Sequence, residues 1–390
     1  MLLPRIFFIM KKHYLTIVLL LAFFFSQAQI VDIPDANFKW ALVNWGVASL
    51  GNGIFEDVDT NDDGEIQISE AEAVIGLYVW NWDIESIEGI ESFINILELG
   101  IGENNISNMD LSQNTSLEYL AANHNQFVSI DISNNINLEI FQCYNNQLTS
   151  IDVTQNLNLL EIDCDFNLIS EIDISNNLIL EGLYSSPNLI QTIDLTNNQG
   201  LKYLNVSSNN LFNIDVSQNL QLVYLNCEEN RISELDVSNN TNLETLHSED
   251  NQLTSLNIKN GYNENLTVMC STGNPELSCI EVDDVDYANQ SSWDIDPWAE
   301  YSEVCTLGIE DTELSSNFNI YPNPVNDHLT LDNTSTSQIT SIKVYDATGR
   351  LVLDEEGNTK QLDMSSLNSG LLFIKIETDE GVLTKKIIKE

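Results

Sequence analysis

Positive charge is what this sequence has least of. Fourteen Lys and Arg face 60 Asp and Glu across 390 residues, a formal net charge of −46. Seven of those basic residues lie after position 310, so the first 310 residues hold only the other seven. Nucleic acid and anionic membrane surfaces are captured by clusters of Lys and Arg, which excludes both as expected partners. Cations, polar glycans and basic protein surfaces suit such a chain better. Histidine is rare as well, with only His13, His124, His247 and His328. His124 and His247 fall about six coils apart in the repeat described below, about 29 Å at the spacing of neighbouring strands. With no base beside a nucleophile, a Ser or Cys hydrolase is unsupported, and no enzyme is expected. Long apolar runs are missing but for one, LTIVLLLAFFF at 15–25. Its eleven residues fall short of the roughly 20 that a transmembrane helix needs, so no transmembrane segment is expected.

That run has another reading. MKKHY precedes it from Met10 and SQAQ follows it. A basic start, a short apolar core and small residues at Ser26 and Ala28 form a signal peptide over 1–28, cleaved near Ala28. Residues 1–9 read as an upstream extension, with Met10 as an alternative start. Export of the mature chain follows.

The body of the chain is periodic. An acid recurs every 21 residues at Asp110, Asp131, Asp152, Asp173, Asp194, Asp215 and Asp236, and Asn257 continues the register. Asn104, Asn125, Asn146, Asn167, Asn188, Asn209, Asn230 and Asn251 form a second ladder. Asn114, Asn135, Asn156, Asn177, Asn198, Asn219 and Asn240 form a third. One such coil cannot bury its own apolar face, whereas stacked coils share a continuous core. A buried Asn at each bend satisfies backbone groups that no strand ladder reaches. In IDI (130–132) the aliphatic residues alternate inward and the acid points outward. Stacked carboxylates repel by about 1 kcal/mol per pair in water, so the acid needs a local return. Accepting N–H bonds in the turn that follows supplies it, in the manner of an Asx turn.

Frames such as LKYLNVSSNNL (201–211) resemble the leucine-rich repeat in a short bacterial form, over roughly residues 77–283. The resemblance implies a mainly β solenoid with an inner sheet face. Outward positions on that face hold Tyr119, Tyr144, Tyr184, Tyr203 and Tyr224, together with Glu161, Asp163 and Asp165. Aromatic rings beside amides and acids suit a protein or glycan ligand. Tyrosine is also a good strand former, so a plain surface stays open as the alternative. Glu161, Asp163 and Asp165 read as outward positions of one strand, successive members about 6.6 Å apart and within reach of an inverting glycosidase pair. A solvated acidic face explains them as well. A purely structural surface or adhesion scaffold is a further alternative.

Cys143, Cys164 and Cys227 take the sixth, inward position of the frame and read as small core residues. Cys279 and Cys305 flank the segment after the last coil, and in an exported protein they are the expected disulfide. Cys270 is left unassigned.

Residues 59–70, DTNDDGEIQISE, fit D-x-[DN]-x-[DN]-G-x5-E. The loop resembles the single, dockerin-like form of the EF-hand. That resemblance implies Ca²⁺ in a structural role. Asp59, Asn61 and Asp63 supply side-chain oxygens, Glu65 a carbonyl, Gln67 a water-mediated contact, and Glu70 closes the site. SLGNGIFEDV before it does not look like a full entering helix, and an acidic turn without metal is the alternative. Upstream, IPDANFKWALVNWG (33–46) reads as a short capping helix.

YPNPVND (321–327), DATGR (346–350), LNSG (367–370) and the terminal KKIIKE resemble the C-terminal sorting domain of the type IX secretion system. Leu372 and Phe373 depart from it where the family often has tyrosine. The resemblance implies that the secretion machinery is a partner, and that the mature protein is secreted or held at the outer surface of a Gram-negative bacterium. The expected order is a signal peptide (1–28), an N-terminal cap with the calcium loop (29–76), the solenoid (77–262), a C-terminal cap (263–305), a linker (306–317) and a small β-sandwich (318–390).

Overall fold

The computed structural model describes residues 29–51, 53–305, 318–333, 338–346, 350–357, 359–379 and 382–390. The expected signal peptide (1–28) and the expected linker (306–317) lie outside the described residues. The chain divides into two compact units, Met1–Glu303 and Val304–Glu390.

In the first unit ten three-residue strands, from Gly76–Tyr78 to Val268–Cys270, pair in parallel within a twelve-stranded sheet. Register is strict. Tyr119 pairs with Ile140, Ile140 with Glu161, Glu161 with Gly182, Gly182 with Tyr203, Tyr203 with Tyr224, and Tyr224 with Thr245, each a step of 21. The middle residue of each strand points into the core, where Leu120, Phe141, Ile162, Leu183, Leu204 and Leu225 are buried. Its two neighbours face outward, as the two-residue alternation of a strand requires. The sheet continues past residue 262, where the sequence reading ended the solenoid. Thr245 pairs with Val268, a step of 23 that hides the last coil from a period of 21.

The bends explain the asparagines. Glu103, His124, Asn145, Phe166, Ser208, Glu229 and Asp250 all have φ between 48° and 55°. Each stands just before a ladder Asn, in a left-handed conformation that costs a non-glycine residue roughly 1–2 kcal/mol. The Asn holds the bend in place. Asn167 Nδ2 donates to the carbonyls of Cys164 and Asp165 in its own coil and of Cys143 in the coil before, at 3.0–3.1 Å. Its Oδ1 accepts Leu148 N–H at 2.9 Å. Asn274 does the same for the last coil, 23 residues after Asn251. The other ladder works through donors alone. Asn177 Nδ2 reaches Val153 O and Asn156 O, while its buried Oδ1 takes no hydrogen bond.

The acid ladder is architectural. Asp110, Asp131, Asp152, Asp173, Asp194, Asp215 and Asp236 each accept the N–H two residues on, at 2.8–3.0 Å. Bonds from the Ser or Thr at that position hold the first six carboxyls below the usual range. On this side a regular parallel sheet joins Glu234–Asp236, Ser255–Asn257, Cys279–Glu281 and Glu300–Ser302.

The N-terminal edge of the large sheet is closed by Ala48–Ser49 and Phe55–Glu56, both antiparallel. A helix over Ala36–Asn44 covers the core with Phe38, Ala41 and Leu42. Asp35 caps it through Oδ1 and fastens it to the first coil through Oδ2, which accepts Glu85 N–H and Ser86 N–H. Cys279 and Cys305 are disulfide-bonded. Cys143, Cys164, Cys227 and Cys270 are free thiols, the first three fully buried.

The second unit is built from two antiparallel sheets, of three and four strands. They enclose a separate core that includes Phe318, Leu329, Ile342, Ile374 and Leu383. Gly370–Thr378 and Val382–Lys389 pair antiparallel, with Leu372 facing that core.

Candidate functional site

The outward columns of the large sheet bring part of the expected ligand face together. Glu161, Gly182, Tyr203 and Tyr224 follow one another in one column, and Asp163, Tyr184, Asn205 and Asn226 in the next. Gly182 leaves a gap in the first column. A Cβ there would meet Tyr184 Cε2 at 3.3 Å and Glu161 Cγ at 3.5 Å, so the Tyr184 ring leans across it towards Glu161. Tyr203 is 44% exposed and available to a ligand. Burial raises the Tyr184 phenol, and Glu161, Tyr203 and Asp163 push it further. The N-terminal end repeats the device. Tyr78 follows Gly76, and its hydroxyl donates to Glu98.

Tyr119 and Tyr144 stand on coils nearer the N-terminus. The Tyr119 hydroxyl donates to Gln142 Oε1 at 3.0 Å, and the His124 ring meets Tyr144 edge-on at 5.3 Å. The expected ligand residues thus share one face. Tyr184, Tyr203, Tyr224, Glu161 and Asp163 form its closest group.

The three acids differ in setting. Asp163 is pushed up to about 7, chiefly by burial, with the Asp165 and Glu161 charges adding to it. Burial also lifts Asp165, to about 6, against the opposing Ser186 N–H bond at 2.5 Å. Asp163 Oδ1 in turn accepts Asp165 N–H at 3.2 Å. A carboxyl protonated near neutrality can donate a hydrogen bond to a ligand or a proton to a leaving group.

The 59–70 loop is a tight, oxygen-rich turn. Gly64 has φ +82°, as the sharp bend at the sixth position demands. Asp59 is 4% exposed, and its carboxylate accepts Asp63 N–H and Gly64 N–H. Asn61 Oδ1 accepts Asp63 N–H, and Asp63 Oδ1 accepts Glu65 N–H. Gln67 Nε2 donates to Asp63 and to the Glu65 carbonyl. Glu70 accepts Thr60 N–H and Gln67 N–H, while Lys39 pairs with the Glu65 side chain at 2.5 Å. The donor set is all oxygen and the bend is correct, so these residues fit Ca²⁺.

Sequence reasoning passed over one exposed feature. Trp40, Trp45 and Trp82 form a triad with ring centroids 5.3–5.9 Å apart, and Trp40 and Trp45 are about half exposed. Four of the six tryptophans lying between residues 40 and 82 was the available signal.

Residues 319–390 match the family described as the secretion system C-terminal sorting domain. No curated protein matches the chain. Among solved structures, the functional domain of InlJ from Listeria monocytogenes, described as including a cysteine ladder, is 23% identical. That likeness covers 93% of this chain and 99% of that one at a TM-score of 0.40. Internalin C2 of the same organism is 21% identical over 58% of this chain and 90% of its own, with a TM-score of 0.39. YopM from Yersinia enterocolitica is 19% identical over 60% and 49%, with a TM-score of 0.45. In fold the chain is a mainly β solenoid like those of leucine-rich repeat proteins, and its residues 319–390 match the secretion system C-terminal sorting domain.

Proposed function

We propose that this is an exported, surface-displayed or secreted binding protein that recognises a protein or polysaccharide on the outward face of its large sheet. One observation carries the reading. Tyr203 and Tyr224 stand in register on adjacent strands, beside Tyr184, Glu161 and Asp163. Rings of this kind present flat apolar area with a polar tip, and the acids and amides around them supply hydrogen bonds. The sorting domain supports delivery to the cell surface by the type IX machinery. Among the described residues no helix is long and apolar enough to cross a membrane. A glycan and protein array probed with the purified mature chain tests the proposal. Tyr203→Ala with Tyr224→Ala should abolish a hit seen with the wild type, and retained binding would remove the sheet-face reading. An acid-based glycan hydrolase draws support only from Asp163 lying near neutrality. Polysaccharide cleavage that disappears in Asp163→Asn would establish it in place of simple binding.

Calcium is assigned to the 59–70 loop in a structural role, on the strength of its oxygen donors and the left-handed Gly64. A site with a Kd of about 0.1 mM stabilises the folded cap by about 1.4 kcal/mol at 1 mM calcium. Calorimetry and melting with and without Ca²⁺ read this directly. Asp59→Asn with Glu70→Gln should erase the effect, and a wild type indifferent to millimolar calcium would refute the assignment.

A further inference from the structure

At the C-terminal end of the same face, His247 closes the strand Thr245–His247, and Cys270 occupies the paired position on Val268–Cys270. Glu249 follows two residues after His247. One ligand atom from each of the three side chains lies within 4.8 Å of the others, the one such His/Cys/Asp/Glu group among the described residues. His247 Nδ1 and Glu249 Oε1 are 3.1 Å apart. Glu249 Oε2 is buried, and the Cys270 thiol is hydrogen-bonded to the Glu249 carboxylate. Cys270 is a free, half-buried thiol. We propose that His247, Glu249 and Cys270 form a three-ligand site for a divalent transition metal, zinc by preference, with the fourth position open to solvent.

The chemistry of the donors selects the metal. One imidazole nitrogen, one thiolate sulfur and one carboxylate oxygen suit Zn²⁺, whereas calcium and magnesium take oxygen alone. Tetrahedral zinc with bonds of roughly 2.0–2.3 Å sets its ligand atoms about 3.5 Å apart. The group must therefore close by at most about 1.3 Å, within reach of side-chain rotation. Zinc binds His247 Nδ1 and the Glu249 carboxylate; a proton held between them moves to His247 Nε2 or to solvent, and the thiol proton of Cys270 leaves to solvent. The Glu249 carboxylate then exchanges its contacts with the His247 ring and the Cys270 thiol for the metal. Glu228 stands one coil before Glu249 and Asp294 one strand beyond Cys270, and both add negative charge that favours a cation. The open position takes water or a donor from a bound partner, the arrangement typical of zinc sites that do more than hold a fold.

The test uses the full exported chain with calcium present at saturation, so that the 59–70 loop is occupied, and a reductant without thiols. Calorimetry should give one zinc per chain with release of protons. Cobalt in place of zinc should give a thiolate-to-cobalt charge-transfer band in the near ultraviolet. Cys270→Ser should abolish that band. His247→Gln should weaken zinc by more than the roughly 10–100-fold that outer-sphere changes cost. Glu249→Gln is a third arm, and each variant is checked for unchanged circular dichroism and metal-free melting. Absence of the cobalt band in the wild type, its persistence in Cys270→Ser, or equal zinc affinity in the His247 variant would overturn the site. The last of these would mean that zinc sits on the general acidic surface.

Discussion

Replacing one ladder asparagine by alanine should cost the solenoid about 2–4 kcal/mol, and Asn167 shows how that figure arises. Asn167→Ala removes four hydrogen bonds, but the groups left behind differ. The Cys143 carbonyl keeps Asn146 Nδ2, the Cys164 carbonyl keeps Asn188 Nδ2, and the Asp165 carbonyl keeps Asn145 N–H. Leu148 N–H keeps nothing among the described residues. An orphaned buried donor costs roughly 1–3 kcal/mol, and the carbonyls that retain one partner add a smaller share. The left-handed Phe166 also loses its clamp. At roughly 2–4 °C per kcal/mol, the melting temperature should fall by about 5–15 °C. Hydrogen exchange adds a local readout, since Leu148 N–H should lose protection ahead of its neighbours even where unfolding of the stacked coils is not two-state. Asn167→Asp sharpens the test. Its carboxylate keeps an acceptor for Leu148 but sets its other oxygen against three carbonyl oxygens. At pH 7 it should be more damaging than alanine. Because the folded state holds the proton more tightly, its stability should recover as pH falls towards 4. An alanine variant as stable as wild type, or an aspartate variant better than alanine at pH 7, would refute the clamp.

Other outcomes follow from named contacts. Asp163 has a folded pKa of about 7 against 3.8 unfolded, so its contribution is fully present below pH 4 and is lost as pH rises through 7. The unscreened shift corresponds to about 4 kcal/mol, which solvent at this half-buried site reduces to about 1–2. Asp163→Asn should therefore stabilise the protein at pH 8 and leave it unchanged at pH 4, and an unaltered pH profile of unfolding would contradict this. Asp35→Ala removes the two carboxylate oxygens that accept four N–H bonds and should destabilise the cap by about 2–3 kcal/mol. Limited proteolysis should then cut within residues 29–47 first; a cap as resistant as wild type would show that Asp35 is not the fastener.

Much of this molecule is legible in one dimension because its neighbours in space are neighbours in sequence, offset by a constant. A period of 21 places Tyr203 beside Tyr224 without any structure, since in-register strands leave no other choice. The same constant named the two asparagine ladders and the outward acids. It could not say which Asn atom meets which backbone group, nor that a left-handed residue stands before seven of the eight asparagines of the first ladder, Pro187 before Asn188 being the exception. Those follow from how the chain turns between strands.

What the period could not carry, the tertiary structure decided. The two additional residues in the last coil put Cys270 23 positions after His247, so a column of 21 passes the pair by, yet strand pairing sets them side by side. Asn274 escaped for the same reason. Asp35 meets residues 85 and 86, and Trp40 meets Trp82, across distances no repeat encodes. Periodic sequence fixes contacts made by translation along the solenoid. Contacts at its ends, where translation stops and the core must be closed, depend on how the whole chain packs.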